Sequence, residues 1–105
     1  MNQEEIKKEV IESLREVSDP ELGINIVDLG LVKRIEVGEY LEDFKVYDFV
    51  KVVMTLTSVM CPFADQIISL VEIKVDSLNY GEPKVELDFS EPWEPSEDLR
   101  MMLGI

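Results

Sequence analysis

The stretch VYDFVKVVMTLTSVMCPFADQIISLVEIKVDSL, residues 46–78, decides the fold. Its first part, Val46 to Thr57, is dense in β-branched and aromatic residues and predicts a strand. Val50, Val52, Met54 and Leu56 fall on one side of that strand, and Lys51, Val53, Thr55 and Thr57 on the other. Its last part, from Pro62 to Leu78, repeats Ala64, Ile67, Ile68, Val71, Val75 and Leu78 at helical spacing. Asn79-Tyr80-Gly81 ends that helix. Residues 84–90 then alternate, with Val85, Leu87 and Phe89 on one face and Lys84, Glu86, Asp88 and Ser90 on the other. That pattern predicts a strand with one covered face and one wet face. A strand–helix–strand crossover is right-handed, which makes its two strands parallel.

On the N-terminal side, Ile6, Val10, Leu14 and Val17 recur at helical spacing and predict a helix over 2–17. Asn2 with Glu5 resembles a capping box, and Pro20 stops the helix. Asp19-Pro20-Glu21-Leu22-Gly23 reads as a turn. Residues 30–37 predict another strand, followed by an acidic connector, about 39–47, whose ends can extend the flanking strands. Beyond residue 90, Pro92-Trp93-Glu94-Pro95 breaks the chain, and Ser96 caps a short helix that runs through Leu103 to Gly104. The expected fold class is therefore α/β, in two layers. A small mixed sheet of about three to four strands carries two main helices on one face and a short C-terminal helix.

The 105 residues fit one domain, 1–105, and 46% hydrophobic residues suffice for a packed core. Ten basic residues stand against 23 acidic ones, a net charge of −13. Nucleic acid and anionic membrane, which need a basic footprint, are not expected partners. The acidity suits either a basic partner or cation, or plain solubility. One cysteine cannot make an internal disulfide, and no signal-peptide pattern or membrane-length apolar run is present, so a reducing, cytoplasmic setting is expected. Histidine is absent, which excludes Ser-His-Asp and Cys-His catalysis within the chain and any His-based metal site.

Cys61 lies between the strand and Pro62, and proline favours the first position of a helix. Cys61 is thus the expected N-cap, where the positive end of the helix dipole favours the thiolate that attacks electrophiles and binds metals. The alternative is a small buried hydrophobe, with Met60 and Phe63 packing beside it. Thr55 and Thr57 lead up to Cys61 on one strand face, where they either hydrogen-bond a bound group or serve β-propensity. Asp19 and Glu21 bracket Pro20 and either approach a metal or thiol or belong to the turn; Asp28 has the same standing. Trp93 is a lid on the core or an exposed anchor.

Five segments occur in an order that resembles one family: residues 19–23, residues 25–32, Met54-Thr55-Leu56-Thr57-Ser58 with Cys61-Pro62, Pro92-Trp93, and Leu103-Gly104. The chain is similar over essentially its whole length to the MIP18 family, formerly DUF59, of iron–sulfur assembly proteins. Members include SufT-like and PaaD-like proteins and domains fused to P-loop cluster carriers. The resemblance implies a small α/β fold and a functional pocket of Cys61, Asp19, Glu21, Thr55 and Thr57. The long acidic connector departs from the family pattern.

An iron–sulfur cluster is usually held by four thiolates. One chain offers one thiolate, and a homodimer offers two. The expected role is an accessory factor for cluster assembly or transfer, not an enzyme. Cys61 would be a transient iron–sulfur ligand, completed by client proteins or by a carrier such as a P-loop scaffold ATPase. No tightly bound cofactor is expected. Two alternatives stand beside it. One is an accessory subunit of a multicomponent oxygenase. The other is a thiol-dependent enzyme using Cys61, which would lack a histidine base and a resolving cysteine.

Overall fold

The computed structural model describes residues 2–58 and 62–104. Its elements are α1 (Gln3–Leu14), β1 (Val32–Glu42), β2 (Lys45–Met54), α2 (Ala64–Ser77), β3 (Glu82–Leu87) and α3 (Glu97–Leu103). The sheet order is β1-β2-β3, with β1 antiparallel and β3 parallel to β2. This is the two-layer mixed sheet expected from residues 46–90, with three strands. α1 packs on β1, α2 on β3, and the two helices on each other. The core between the layers joins Val10 and Leu14 of α1, Ile67, Val71 and Val75 of α2, and Ile35, Val50, Val52 and Met54 of the sheet. Each such side chain contributes about 1.5–3 kcal/mol by leaving water.

Asn2 caps α1 as expected, its Oδ1 accepting from the Glu5 N–H at 2.8 Å. The helix ends at Leu14 rather than at residue 17. The Val17 carbonyl accepts instead from Ile26 N at 2.9 Å, and Ser18 bridges Asn25. Pairing with the next loop has drawn these residues out of the helix. The C-terminal helix matches its expectation: Ser96 Oγ accepts from Leu99 N, and Gly104 takes φ +73°.

The acidic connector is not a loop. β1 and β2 continue as a ladder to the pair Glu42↔Lys45, closed by Asp43 and Phe44 alone. Both turn residues have positive φ, +51° and +65°, as a type I′ hairpin requires. That turn normally uses Asn-Gly, so nothing local announced it. The pairs Tyr40↔Tyr47 and Leu41↔Val46 hold the extension, with the two tyrosine rings stacked at 5.3 Å. Phe44 is 100% exposed, so its ring offsets none of the left-handed strain. Phe44→Gly is expected to raise stability by about 1 kcal/mol and Tm by about 4–8 °C. A thermal melt that shows no rise would contradict the turn.

The Tyr40 hydroxyl donates to Glu82 across β2, and this bond, with a smaller effect of burial, pushes its pKa from 10.0 to about 12. The donating form is the protonated phenol. Its contribution is therefore complete below pH 10 and is lost as pH rises through about 12. Ultraviolet difference titration should show one tyrosine ionising late, and Glu82→Gln should return it toward its ordinary value.

Candidate functional site

β2 and β3 run parallel, so the chain leaves both at the same end of the sheet. The ladder continues one rung past them, with Asp88 N donating to Met54 O at 2.9 Å and Thr55 N to Leu31 O at 2.8 Å. Thr55, Leu56, Thr57 and Ser58 then line one side of a cavity of about 180 Å³, and Phe89, Glu91, Pro92 and Trp93 line the other. Regular side-to-side alternation has stopped here, because β2 ends at Met54 and four successive residues face one space. The cavity offers three hydroxyls and one carboxylate against an apolar wall. Thr55 is buried, with Oγ1 3.5 Å from the Leu56 carbonyl, and Thr57 is half-buried.

The wall is anchored by Trp93, which packs on the core and donates from Nε1 to Leu29 O at 2.7 Å. Trp93 is therefore the core lid and also a cavity residue. Asp88 starts the loop that leads to this wall. The hydroxyl and N–H of Ser90 bond its carboxylate and hold its pKa below the usual carboxylate value, with Lys33 and Arg34 adding to the effect.

Asp19 is 1% exposed. Its Oδ1 accepts from Glu21 N at 2.8 Å and Leu22 N at 3.4 Å, the Asx turn expected of Asp before Pro. Its Oδ2 is buried and accepts no hydrogen bond among the described residues, an unusual state for a buried polar atom. Backbone bonds tie this turn to the cavity end of β2: Asp19 N to Ile24 O, Ile26 N to Val17 O, Leu31 N to Ile26 O and Thr55 N to Leu31 O. Neither Asp19 nor Glu21 lines the cavity, and Glu21 is exposed. Asp28 is occupied elsewhere, accepting from Arg15 at 2.6 Å. The structure thus brings Thr55 and Thr57 together and holds the acidic turn on an adjoining loop.

Cys61 lies outside the described residues. Its expected place as N-cap is corrected by α2, which starts at Ala64 with Phe63 as its cap. The first helical bond runs from Ile67 N to Phe63 O, and among the described residues no side chain caps the end. Pro62 forms part of a turn ahead of the helix rather than its first residue. The dipole argument for Cys61 rested on that N-cap position, which Phe63 holds instead. Among the described residues, no group of three or more His, Cys, Asp or Glu side chains is placed to hold a metal ion. The sequence reading missed Ser58, Phe89 and Glu91. Parallel pairing of β2 and β3 was the available signal, because it sets residues after 88 beside residues after 54.

The model of the iron–sulfur cluster assembly protein family matches residues 7–87. The chain belongs to that family. It is 37% identical over 110 residues to an Fe-S protein maturation auxiliary factor of Porphyromonas gingivalis, covering 99% of this chain and 98% of that one. It is 32% identical over 107 residues to the Fe-S protein maturation auxiliary factor YitW of Bacillus subtilis, covering 98% of each. The structure of a DUF59 domain from Bacillus anthracis matches with TM-score 0.76 and 31% identity, over 98% of this chain and 95% of that one. The family resemblance read from the sequence is thereby shown. The span matched to the iron–sulfur cluster assembly family contains the Asp19 turn and the Thr55–Pro62 segment. It ends before Phe89, Glu91, Pro92 and Trp93, so one whole wall of the cavity lies beyond it.

Proposed function

We propose that this chain is an accessory factor in iron–sulfur protein maturation, and that Cys61 lends one thiolate to a cluster in transit. The likeness to maturation auxiliary factors along nearly the whole chain carries this reading. The cluster is cargo. A chain with one thiol holds it only while a donor or client supplies the remaining ligands. Such shared ligation favours onward transfer over storage.

In this reading the cavity beside the end of β2 receives the cargo or the client segment that carries it. Thr55, Thr57 and Ser58 supply hydroxyl donors suited to sulfide or thiolate, and Trp93 with Phe89 excludes water. Asp19 does not meet the cargo itself but shapes the adjoining turn, its Oδ1 accepting from Glu21 N. Glu21, exposed on the same turn, contacts the partner. The partners are client apoproteins and a cluster carrier such as a P-loop scaffold ATPase, in the cytoplasm. Among the described residues no helix is long and apolar enough to cross a membrane.

An anaerobic transfer assay tests this reading. The chain is supplied with iron and sulfide, and activation of an apo cluster enzyme is followed. Activation that requires the chain, with a visible chromophore that requires Cys61, supports direct handling. Equal activation with and without the chain rejects it.

A further inference from the structure

β1 is an edge strand of 11 residues, and among the described residues no other strand lies on its outer side. In a two-residue hairpin the closing pair, here Glu42↔Lys45, is hydrogen-bonded. Even-numbered residues of β1 therefore turn their N–H and C=O groups toward β2, and Ile35, Val37, Glu39 and Leu41 turn theirs outward. Gln3 reports the same phase independently, donating from Nε2 to the outward Val37 carbonyl at 3.2 Å. A long open edge of this kind is a template for another strand.

Antiparallel pairing of this edge with its own copy must match outward residues to outward residues. Centred on Val37, it sets Ile35 against Glu39. Centred on Glu39, it sets Glu36 against Glu42. Centred on Gly38, it sets Val37 against Glu39, but of the three it alone sets Ile35 against Leu41 and Arg34, which pairs with Glu36 at 3.0 Å within its own chain, against Glu42. Charge and polarity select the third register. In that register Leu41 of the second copy, 69% exposed in the single chain, lies on the same face as Ile35. There it meets a groove of about 310 Å³ between Ile35 and α1, lined also by Ile11, Lys7, Lys8, Glu4 and Glu12. Lys7 pairs with Glu4 at 3.6 Å, and Lys8, which forms no ion pair among the described residues, faces the acidic hairpin of the second copy. Among the described residues Glu39, Glu42 and Asp43 form no ion pair within the chain.

We propose that β1 pairs with β1 of a second copy, antiparallel about Gly38, joining the two three-stranded sheets into one across a two-fold axis. Such a contact is isologous and closed, and it adds about eight backbone hydrogen bonds. The Val37 carbonyl has a second lone pair, so the Gln3 bond does not block it. The net charge of −13 on each copy opposes association over distance, but at 0.15 M salt the screening length is about 8 Å, and the cross-edge contacts are shorter.

Sedimentation equilibrium of the full chain tests this, with far-ultraviolet circular dichroism as the check on folding. The expected result is a reversible dimer of the 12.1 kDa chain at micromolar concentrations. Arg34→Glu and Glu42→Arg should each weaken it about tenfold, because two like-charged pairs replace two opposite ones. The double variant should restore it. A monomer at all concentrations overturns the proposal, and so does a dimer indifferent to either single charge reversal. Singles that weaken the dimer without rescue in the double overturn the register. None of these outcomes depends on the maturation role.

Discussion

Cys61→Ser is expected to reduce client maturation to the level seen without the protein, while the fold and Tm stay unchanged. The thiolate is the ligand form for iron, and a serine hydroxyl does not ionise near neutral pH. The two side chains are close in size. The loss should therefore appear in transfer and not in stability. The measurement is activation of an apo cluster enzyme beside a thermal melt of the same preparation. A variant that transfers as well as the parent chain ends the thiol role, and the reading as an accessory subunit of a multicomponent oxygenase would take its place. Thr57→Val removes one cavity hydroxyl and leaves the wall otherwise intact, so it should slow transfer by less than loss of the thiol.

Gly81→Ala is the substitution expected to damage the fold most among the glycines. Gly81 joins α2 to β3 at φ +155°, where L side chains are rarely found. A Cβ there would lie 2.8 Å from the Asp48 carbonyl carbon and oxygen and 2.9 Å from Phe49 N. These are backbone atoms of β2, held in register because Phe49 pairs with Glu82. Neither strand can give way without losing the first rung of the parallel pair. The expected cost is about 2–4 kcal/mol, combining strain with overpacking. Gly23→Ala is the control: its φ is +69°, with nothing within 4 Å of the added carbon. It should cost only the conformational part, about 1–2 kcal/mol. Urea melts with unchanged slopes would compare them. Equal losses would mean that β2 does not approach Gly81 so closely.

The acidic turn shows how far local chemistry reaches. Asp before Pro predicted the Asx turn, and Asp19 Oδ1 makes it. Nothing in those five residues predicted that Oδ2 would be buried and, among the described residues, without a partner, because burial depends on segments distant in the chain. The thiol's cap position failed for a related reason. Proline before an apolar run marks the start of a helix to within a turn, but the first bonded carbonyl belongs to Phe63. The ends of the connector extend the flanking strands as expected, but the tight turn escaped notice because it is Asp43-Phe44, and only cross-strand pairing makes those two residues a turn.

By itself the sequence determined the order and type of every element, the parallel join of the strands either side of α2, and the family. Hydrophobic period, caps and breakers act within a few residues and are therefore written locally. Tertiary structure alone decided the length of the hairpin, the true start of α2, the burial of Asp19 and the second wall of the cavity. Each of these depends on which distant segment arrives to complete a hydrogen bond or exclude water, and residue spacing along one stretch does not encode that.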